Sequence, residues 1–474
     1  MLKVEYKQIV SHLHNIIKGS NFEGHVYVVG GAVRSEIMDH NIKDIDLVVD
    51  LPNGGIDFAN WLKESGHVSG SVVVYPTYGT AMFKLDKFKD HEIEVVQTRK
   101  EQYKDKNSRN PETEYGTIEE DAMRRDLTIN ALYYNISTKE YLDITGNGYQ
   151  DIFDHLIRVT SNPEIVFHDD ALRILRCLRF ATRFDYTIDA NTMSGMMDNV
   201  HRLSTITTER ITDEFNKILM SSKAWKGLEM LYNINAFQYI FRSRLDIAGD
   251  FVNKDSWSHT HFKRLIYLIK DRCRWVYSED RHPELYANET AIRLAILFQD
   301  TLNSDLKALL YGMRYPKDTI DLVLKLNDAV DFIYNEVKYG DDDKHKIAVR
   351  KFEHKFGYPC CCNAMDIVIS NCKCEFVDTS ERLSVYGYNI AQKYQDVRED
   401  IWHRMYFGET MIGYQPPIDG NLIMEIKNIG PGRDVKTYYN LVMEEIYKSE
   451  HPTKITREDC IEMLNKISLK NNTL

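Results

Sequence analysis

Val26-Tyr-Val-Val-Gly-Gly-Ala-Val-Arg34, followed by Asp44-Ile-Asp-Leu-Val-Val49, decides how the first part of this chain is built. A short β-branched run ends in two glycines and passes into helix-compatible residues, and a second β-rich run follows. Gly30 and Gly31 leave room for backbone N–H groups to approach a phosphate where a helix begins. Asp44 and Asp46 stand two apart in the second run, so on a strand both carboxylates leave by the same face. Two hard oxygen ligands side by side suit Mg²⁺, which binds carboxylates together with substrate phosphates. Taken alone, each half also fits a plain turn and a solvated strand face.

Working outward, Val4–Ile17 has apolar residues at helical spacing. Ser71–Tyr75, Thr80–Leu85, Glu92–Gln97 and Ala131–Tyr134 read as further strands. Glu92-Ile-Glu-Val-Val96 offers a third carboxylate. Glu94 lies between apolar Ile93 and Val95, and Glu92 shares its face, so periodicity does not choose between them. Three acidic groups on adjacent strands would suit a two-metal phosphoryl-transfer site. Lys100–Glu114 is polar and turn-rich and reads as a loop. From about residue 155 the text becomes helical, including one helix from His168 to Phe184. The fold class expected is α+β: an α/β head followed by an all-helical remainder.

The chain has 474 residues and a formal net charge of −11, enough for several domains. A hydrophobic content of 43% and a charged content of 28% argue against disorder. The apolar run Leu294–Phe298 is too short to span a bilayer, and the N-terminus lacks a signal-peptide core, so a cytoplasmic protein is expected. The acidic balance disfavours indiscriminate adhesion to phosphate backbones without forbidding a local basic groove. Five of the eight cysteines crowd into Cys360-Cys-Cys362 and Cys372-Lys-Cys374. Without paired C-x-x-C knuckles, they read as reduced, buried thiols rather than zinc ligands.

The combination becomes specific at Arg124-Arg-Asp-Leu-Thr-Ile-Asn-Ala131. In that order, Gly-Gly-Ala-Val-Arg, Asp-Ile-Asp and this segment resemble the motifs of the tRNA nucleotidyltransferase/poly(A) polymerase family, bacterial-type class. The resemblance implies an enzyme that adds CMP and AMP from CTP and ATP to the 3′ end of tRNA, with Mg²⁺ held by Asp44, Asp46 and Glu94. It places the third ligand at Glu94, five residues before Arg99. It also implies that Gly30, Gly31, Arg34, Arg124, Arg125, Asp126 and Asn130 bind the incoming nucleotide. Arg forks suit phosphate oxygens, and a carboxylate accepts from ribose hydroxyls.

The likeness continues through Leu142-Asp-Ile-Thr-Gly146 and Asp151-Ile152, similar to the family's hinge after the head. His168-Asp-Asp-Ala-Leu-Arg173-Ile-Leu-Arg-Cys-Leu-Arg-Phe180 is similar to the nucleotide-selecting helix and adds Asp169, Asp170, Arg173, Arg176 and Arg179 to the nucleotide site. Arg173, Arg176, Arg179 and Arg183 share one face at helical spacing, and for Arg183 a solvated position is the preferred reading. Cytosine and adenine both present an amino donor beside a ring-nitrogen acceptor. Asp170 and Arg173, one helical turn apart, would match that edge and leave donors opposed against uracil or guanine. Asp169 stands where the family usually has Glu.

Thr208–Leu219 resembles the family's Glu-Arg…Glu helix, whose glutamates read as structural partners for arginines. Trp257-Ser-His259-Thr-His261 with Gln299-Asp300 faintly resembles a His-Asp metal phosphohydrolase in which Gln299 replaces a metal-binding His. Near the C-terminus, Ile429-Gly-Pro-Gly-Arg433 resembles the tail signature of CCA-adding members and implies tRNA contacts at Gly430, Gly432, Arg433 and Lys436. The expected domains are a head (1–155), a nucleotide-selecting neck (156–220), a helical body (221–390) and a tRNA-binding tail (391–474). A poly(A) polymerase, or a relative adding only CC or only A, is the alternative reading.

Overall fold

The computed structural model describes residues 3–76, 79–102, 112–244, 251, 256–276, 288–337, 343–375 and 385–468. The chain divides into two compact units, Met1–Arg242 and Ser243–Leu474.

In the first unit, α1 (Lys3–Ile17) buries Ile9, Leu13 and Ile17. β1 (Val26–Val29) is buried throughout, and Gly30 turns out of it at φ 70°, a left-handed conformation that favours glycine, to start α2 (Gly31–Ile37). Then come β2 (Ile45–Val49), α3 (Gly54–Glu64), β3 (Val73–Tyr75), β4 (Thr80–Leu85) and β5 (Phe88–Gln97). β8 (Leu132–Asn135) and β9 (Tyr141–Asp143) complete a seven-stranded sheet of order β3-β4-β5-β2-β1-β8-β9. β2 and β5 run parallel, and the other neighbouring pairs run antiparallel. Inward residues of β2 and β5, Ile45, Leu47, Ile93 and Val95, are almost completely buried. The strand alternation that hides them turns Asp46 and Glu94 to the other face.

The structure corrects several sequence expectations. β2 begins at Ile45, so Asp44 precedes the strand and is exposed. Lys100–Glu114 is not a loop at its ends: β6 (Arg99–Gln102) pairs antiparallel with β7 (Glu112–Tyr115), and residues 103–111 lie outside the described residues. The helical remainder includes a small parallel pair, β10 (Leu156–Ile157) with β11 (Thr187–Ile188).

The segment read as one helix from His168 to Phe184 is two, α6 (Pro163–Asp169) and α7 (Leu172–Phe184). Asp170 between them is extended, at φ −144° and ψ 101°, and its carboxylate accepts from the Leu172 amide at 3.0 Å. A carboxylate that satisfies the first free N–H groups of a new helix competes with continuing the old one. On α7 the arginines do share the outer face, while Ile174, Leu175, Cys177, Leu178 and Ala181 are buried. The unit continues through α8 (Ala190–Asn199) and α9 (Thr208–Leu219), the latter packed on α7.

The second unit is helical among its described residues. Its interior holds a charged group: Glu289 accepts from Arg272 at 2.8 Å and from Arg293 at 2.6 Å, and all three are almost fully buried. Cys360, Cys361 and Cys362 are buried on the helix Cys360–Glu375, and burial pushes the Cys360 and Cys362 thiols up to about 11. Of the His-Asp resemblance, the His259 side chain lies outside the described residues. Gln299 accepts from Asn371 at 2.7 Å, and His261 lies 3.5 Å from Asp300. A separate apolar cluster including Ile423, Val442, Ile446, Cys460 and Leu464 holds the C-terminal helices together. Among the described residues, no helix is long and apolar enough to cross a membrane.

The seat of α3 on the sheet gives a direct test. A Cβ at Gly55 would lie 2.7 Å from the Val96 carbonyl carbon, so backbone would have to move. Gly55→Ala is expected to destabilise the first unit by about 1–3 kcal/mol, measured as a lower urea midpoint. An unchanged midpoint would show that α3 does not press on β5.

Candidate functional site

The site begins with strand register. β1 pairs Val29 with Asp46, and β2 pairs Asp46 with Glu94. The Gly30 turn and two carboxylates thus fall on adjacent strands about 4.8 Å apart. Glu92 pairs with Lys84 further along β5, away from Asp46. Asp46 is pushed up from 3.8 to about 6, first by burial and then by the negative charge of Glu94. Arg125 acts in the opposite sense, and exposed Asp44 adds to the rise. A Cβ at Gly30 would stand 3.7 Å from Arg125 Nη1, which places that guanidinium directly behind the turn.

Arg124 and Arg125 extend from the end of α4 (Ile118–Met123), which is closed at its start by a Thr117/Glu120 capping box. Both arginines meet Asp121, whose side chain is fully buried. Arg124 Nε donates to one oxygen at 3.0 Å, and Arg125 Nη2 donates to the other at 2.8 Å. The Tyr133 hydroxyl donates to the same oxygen at 2.7 Å and accepts from Arg125 Nε at 2.9 Å. Although burial opposes it, these two cations hold Asp121 down to about 2. Asp121 was not among the residues expected from sequence. Its position three and four residues before the two arginines is a helical ion-pair spacing that could have revealed it.

A second chain of bonds links the remaining head motifs. Arg176 Nε donates to Asp126 at 2.7 Å, Asn130 Nδ2 donates to the other Asp126 oxygen at 2.9 Å, and Arg34 donates to Asn130 Oδ1. Arg34 is buried, with Phe180 and Phe184 against its guanidinium at 5.1 and 4.9 Å. Burial and the nearby charges of Arg183, Arg179 and Arg176 lower it to about 10. Arg179 pairs with buried Glu214 at 3.0 Å, the structural role expected of that glutamate. Four arginines from α2 and α7 therefore converge with fewer counter-ions than charges, an arrangement suited to a polyphosphate.

Asp170 and Arg173 do not stand one turn apart on a common helix. Asp170 accepts from Arg210 at 2.8 Å, and Arg173 donates to the Arg124 carbonyl at 2.7 Å. Arg210 was missed because its partner lies forty positions away in sequence. Asp169 ends α6 and is half-buried. In the second unit, Gly430, Gly432, Arg433 and Lys436 are exposed at the start of the helix Arg433–Lys448. Gly432 and Lys436 line a groove with Pro431, Val435 and Tyr439.

Comparison with known proteins finds matches to the head and to the segment that follows it. Residues 26–158 match the Poly A polymerase head domain, and residues 185–245 match the probable RNA and SrmB-binding site of polymerase A. Over 233 residues the chain is 36% identical to tRNA nucleotidyltransferase cca2 of Schizosaccharomyces pombe, covering 46% of this chain and 48% of that protein. Among solved structures, the Bacillus stearothermophilus CCA-adding enzyme in complex with CTP has the same fold, with a TM-score of 0.66 and 17% identity over 97% of this chain and 96% of the other. The Thermotoga maritima CCA-adding enzyme complexed with tRNA gives a TM-score of 0.64 at 19% identity, covering 97% of this chain and 95% of the other.

The fold is thus an α+β head followed by a helical remainder. Both family models match in order, and the chain is similar to the tRNA nucleotidyltransferase/poly(A) polymerase family over residues 26–158 and 185–245. It spans about half the length of the curated relative it matches.

Asp46 makes the electrostatics testable. Its folded value of about 6 exceeds the ordinary 3.8, so its contribution to stability is full below 3.8 and is lost as pH rises through about 6. Without divalent ions, the stability of the wild type relative to Asp46→Asn should fall between pH 4 and 7, read from urea midpoints. A difference that stays flat across that window would contradict the burial of Asp46 and its crowding by Glu94.

Proposed function

We propose that this protein is a CCA-adding nucleotidyltransferase that transfers CMP and AMP from CTP and ATP to the 3′ end of tRNA without a nucleic-acid template. The reading rests above all on Asp46 and Glu94 standing side by side at the Gly30 turn, next to an arginine cluster sized for a triphosphate. The relatives' names support tRNA as acceptor.

Nucleotidyltransferases of this family use divalent metal ions. We assign magnesium to Asp44, Asp46 and Glu94. Asp46 supports this reading: burial first, and then the charges of Glu94 and Asp44, make it reluctant to ionise, and a bound cation would relieve that. When bound, such ions polarise the α-phosphate and favour the ionised 3′-hydroxyl.

The chain's own residues do the rest. Arg34, Arg124, Arg125, Arg176 and Arg179 hold the triphosphate in line, Asp126 and Asn130 fix the ribose, and the Gly30-Gly31 turn lets backbone approach. The 3′-oxygen bonds to the α-phosphorus as the bond to the bridging oxygen breaks. Pyrophosphate leaves with the β- and γ-phosphates, and the hydroxyl proton passes to solvent. Asp170 and Arg173 read the base edge, with Asp169 steadying Arg173. Gly430, Gly432, Arg433 and Lys436 contact the tRNA backbone from the helix start.

The proposed domains are head 1–155, neck 156–220, body 221–390 and tail 391–474. The buried thiols of Cys360, Cys361 and Cys362 fit a reducing compartment, and we place the protein in the cytoplasm. A poly(A) polymerase is the second reading, favoured only by the shared head.

Asp46→Ala is expected to abolish transfer while leaving tRNA binding nearly intact. The measurement uses Mg²⁺, each labelled NTP in turn, and tRNAs lacking one, two or three terminal nucleotides. Continued AMP addition beyond a single residue would favour the poly(A) reading, and near-normal turnover would remove the site from β2.

Selection is tested separately. A good base-edge pair is worth about 1–3 kcal/mol of discrimination. Arg173→Ala should therefore lower kcat/KM for CTP and ATP together and narrow their margin over UTP and GTP by roughly 10–150-fold. Equal slowing of all four nucleotides would make Arg173 a scaffold contact.

A further inference from the structure

A second group of chemistry-bearing side chains lies at the far end of the head's sheet. After α3 the chain returns along β4: Val68 bridges to Leu85, and the Asp86 amide donates to the His67 carbonyl at 3.0 Å. His67 and Asp86 therefore face each other across two antiparallel segments, where opposite side chains are close neighbours. α1 brings His12 over them, its ring centroid 6.3 Å from His67 at an interplanar angle of 88° and 5.7 Å from Phe88. One ligand atom from each of His12, His67 and Asp86 lies within 4.8 Å of the others.

The decisive pair is His12 Nε2 and Asp86 Oδ1. They face each other at 3.9 Å, too far for a hydrogen bond, and both atoms are buried without a hydrogen-bond partner. That separation matches two ligands of one ion, since zinc–nitrogen and zinc–oxygen bonds are each about 2.0–2.2 Å long.

We propose that His12, His67 and Asp86 bind one zinc-class divalent ion, with water completing the coordination. Two imidazole nitrogens and one carboxylate suit zinc, whereas Mg²⁺ and Ca²⁺ favour all-oxygen sets. The Asp86 side chain is 41% exposed, so solvent reaches the open position. From Phe88 to Glu94 is six residues of β5, roughly 20 Å of extended chain, so the ion is separate from the Asp46/Glu94 pair. It joins three segments distant in sequence and stabilises the head by binding only its folded form. Lys87, exposed beside Asp86, is a positive charge that opposes the ion.

The test uses the full chain stripped with EDTA and titrated with Zn²⁺ against a chromophoric chelator. Co²⁺ supplies a spectroscopic second probe. One equivalent of Zn²⁺ should bind and raise Tm. Asp86→Asn and His67→Gln, both close in shape, should each weaken binding at least tenfold and cancel the Tm shift. Lys87→Ala should tighten it, and Glu94→Gln should leave it unchanged. The Co²⁺ spectrum should lack thiolate charge-transfer bands. No stoichiometric binding, binding indifferent to both substitutions, or a thiolate band pointing to the cysteines would each overturn the proposal.

Discussion

The parallel pairing of β2 with β5 holds both the core and the candidate site in place. Its register sets Ile45 against Ile93, Leu47 against Val95 and Asp46 against Glu94. Side chains alternate along a strand, so a slip of one residue would bring the carboxylates into the core and expose the apolar residues. Burial of Leu47 and Val95 and convergence of Asp46 with Glu94 are therefore one structural fact. The repulsion between the carboxylates is sustained by apolar packing on the opposite face, and it adds to burial in raising Asp46.

The same economy governs the arginines. Guanidinium groups cannot lose their proton to escape burial, so each buried one needs an acceptor or a ring face. Asp121 serves Arg124 and Arg125, Asp126 serves Arg176, and Glu214 serves Arg179. Arg34 relies on Asn130 and on the faces of Phe180 and Phe184. The acidic whole, at −11, thus contains one locally cationic face whose charges are positioned by carboxylates behind them. An anion arriving there meets donors already oriented.

How much of this was legible in the sequence depended on the range of the interaction. β1, β4 and α1 could be read because alternation and helical spacing are local signals. The α7 arginine face could be read for the same reason. The break at Asp170 could not, because a helix-compatible sequence continues through it and a single side-chain cap decides where the new helix starts. The β6–β7 pair was hidden in polar text, since two short strands can pair through their backbones with little apolar patterning. Asp121 was written in the sequence at ion-pair spacing, but its complete burial depends on Tyr133 arriving from another element. Asp170 with Arg210, and His12 with Asp86, depend on contacts that no local pattern encodes.

The arrangement around Asp170 also constrains how a base could be read there. Asp170 already accepts from Arg210 and from the Leu172 amide, and Arg173 already donates to the Arg124 carbonyl. A base edge engaging these groups either shares them or displaces a partner, so its net gain is the difference between bonds made and bonds given up. The Leu172 amide uses one Asp170 oxygen and Arg210 the other, which leaves lone pairs on both because a carboxylate can accept about four hydrogen bonds. Asp170 can therefore accept from an amino group without uncapping α7. Arg173 is placed differently: a nitrogen committed to a main-chain carbonyl must turn, or use another N–H of its fork, to reach a ring nitrogen. Arg173 thus carries the larger cost of reorganisation, so if a base is read here, selectivity would depend more on what orients Arg173 than on the carboxylate beside it.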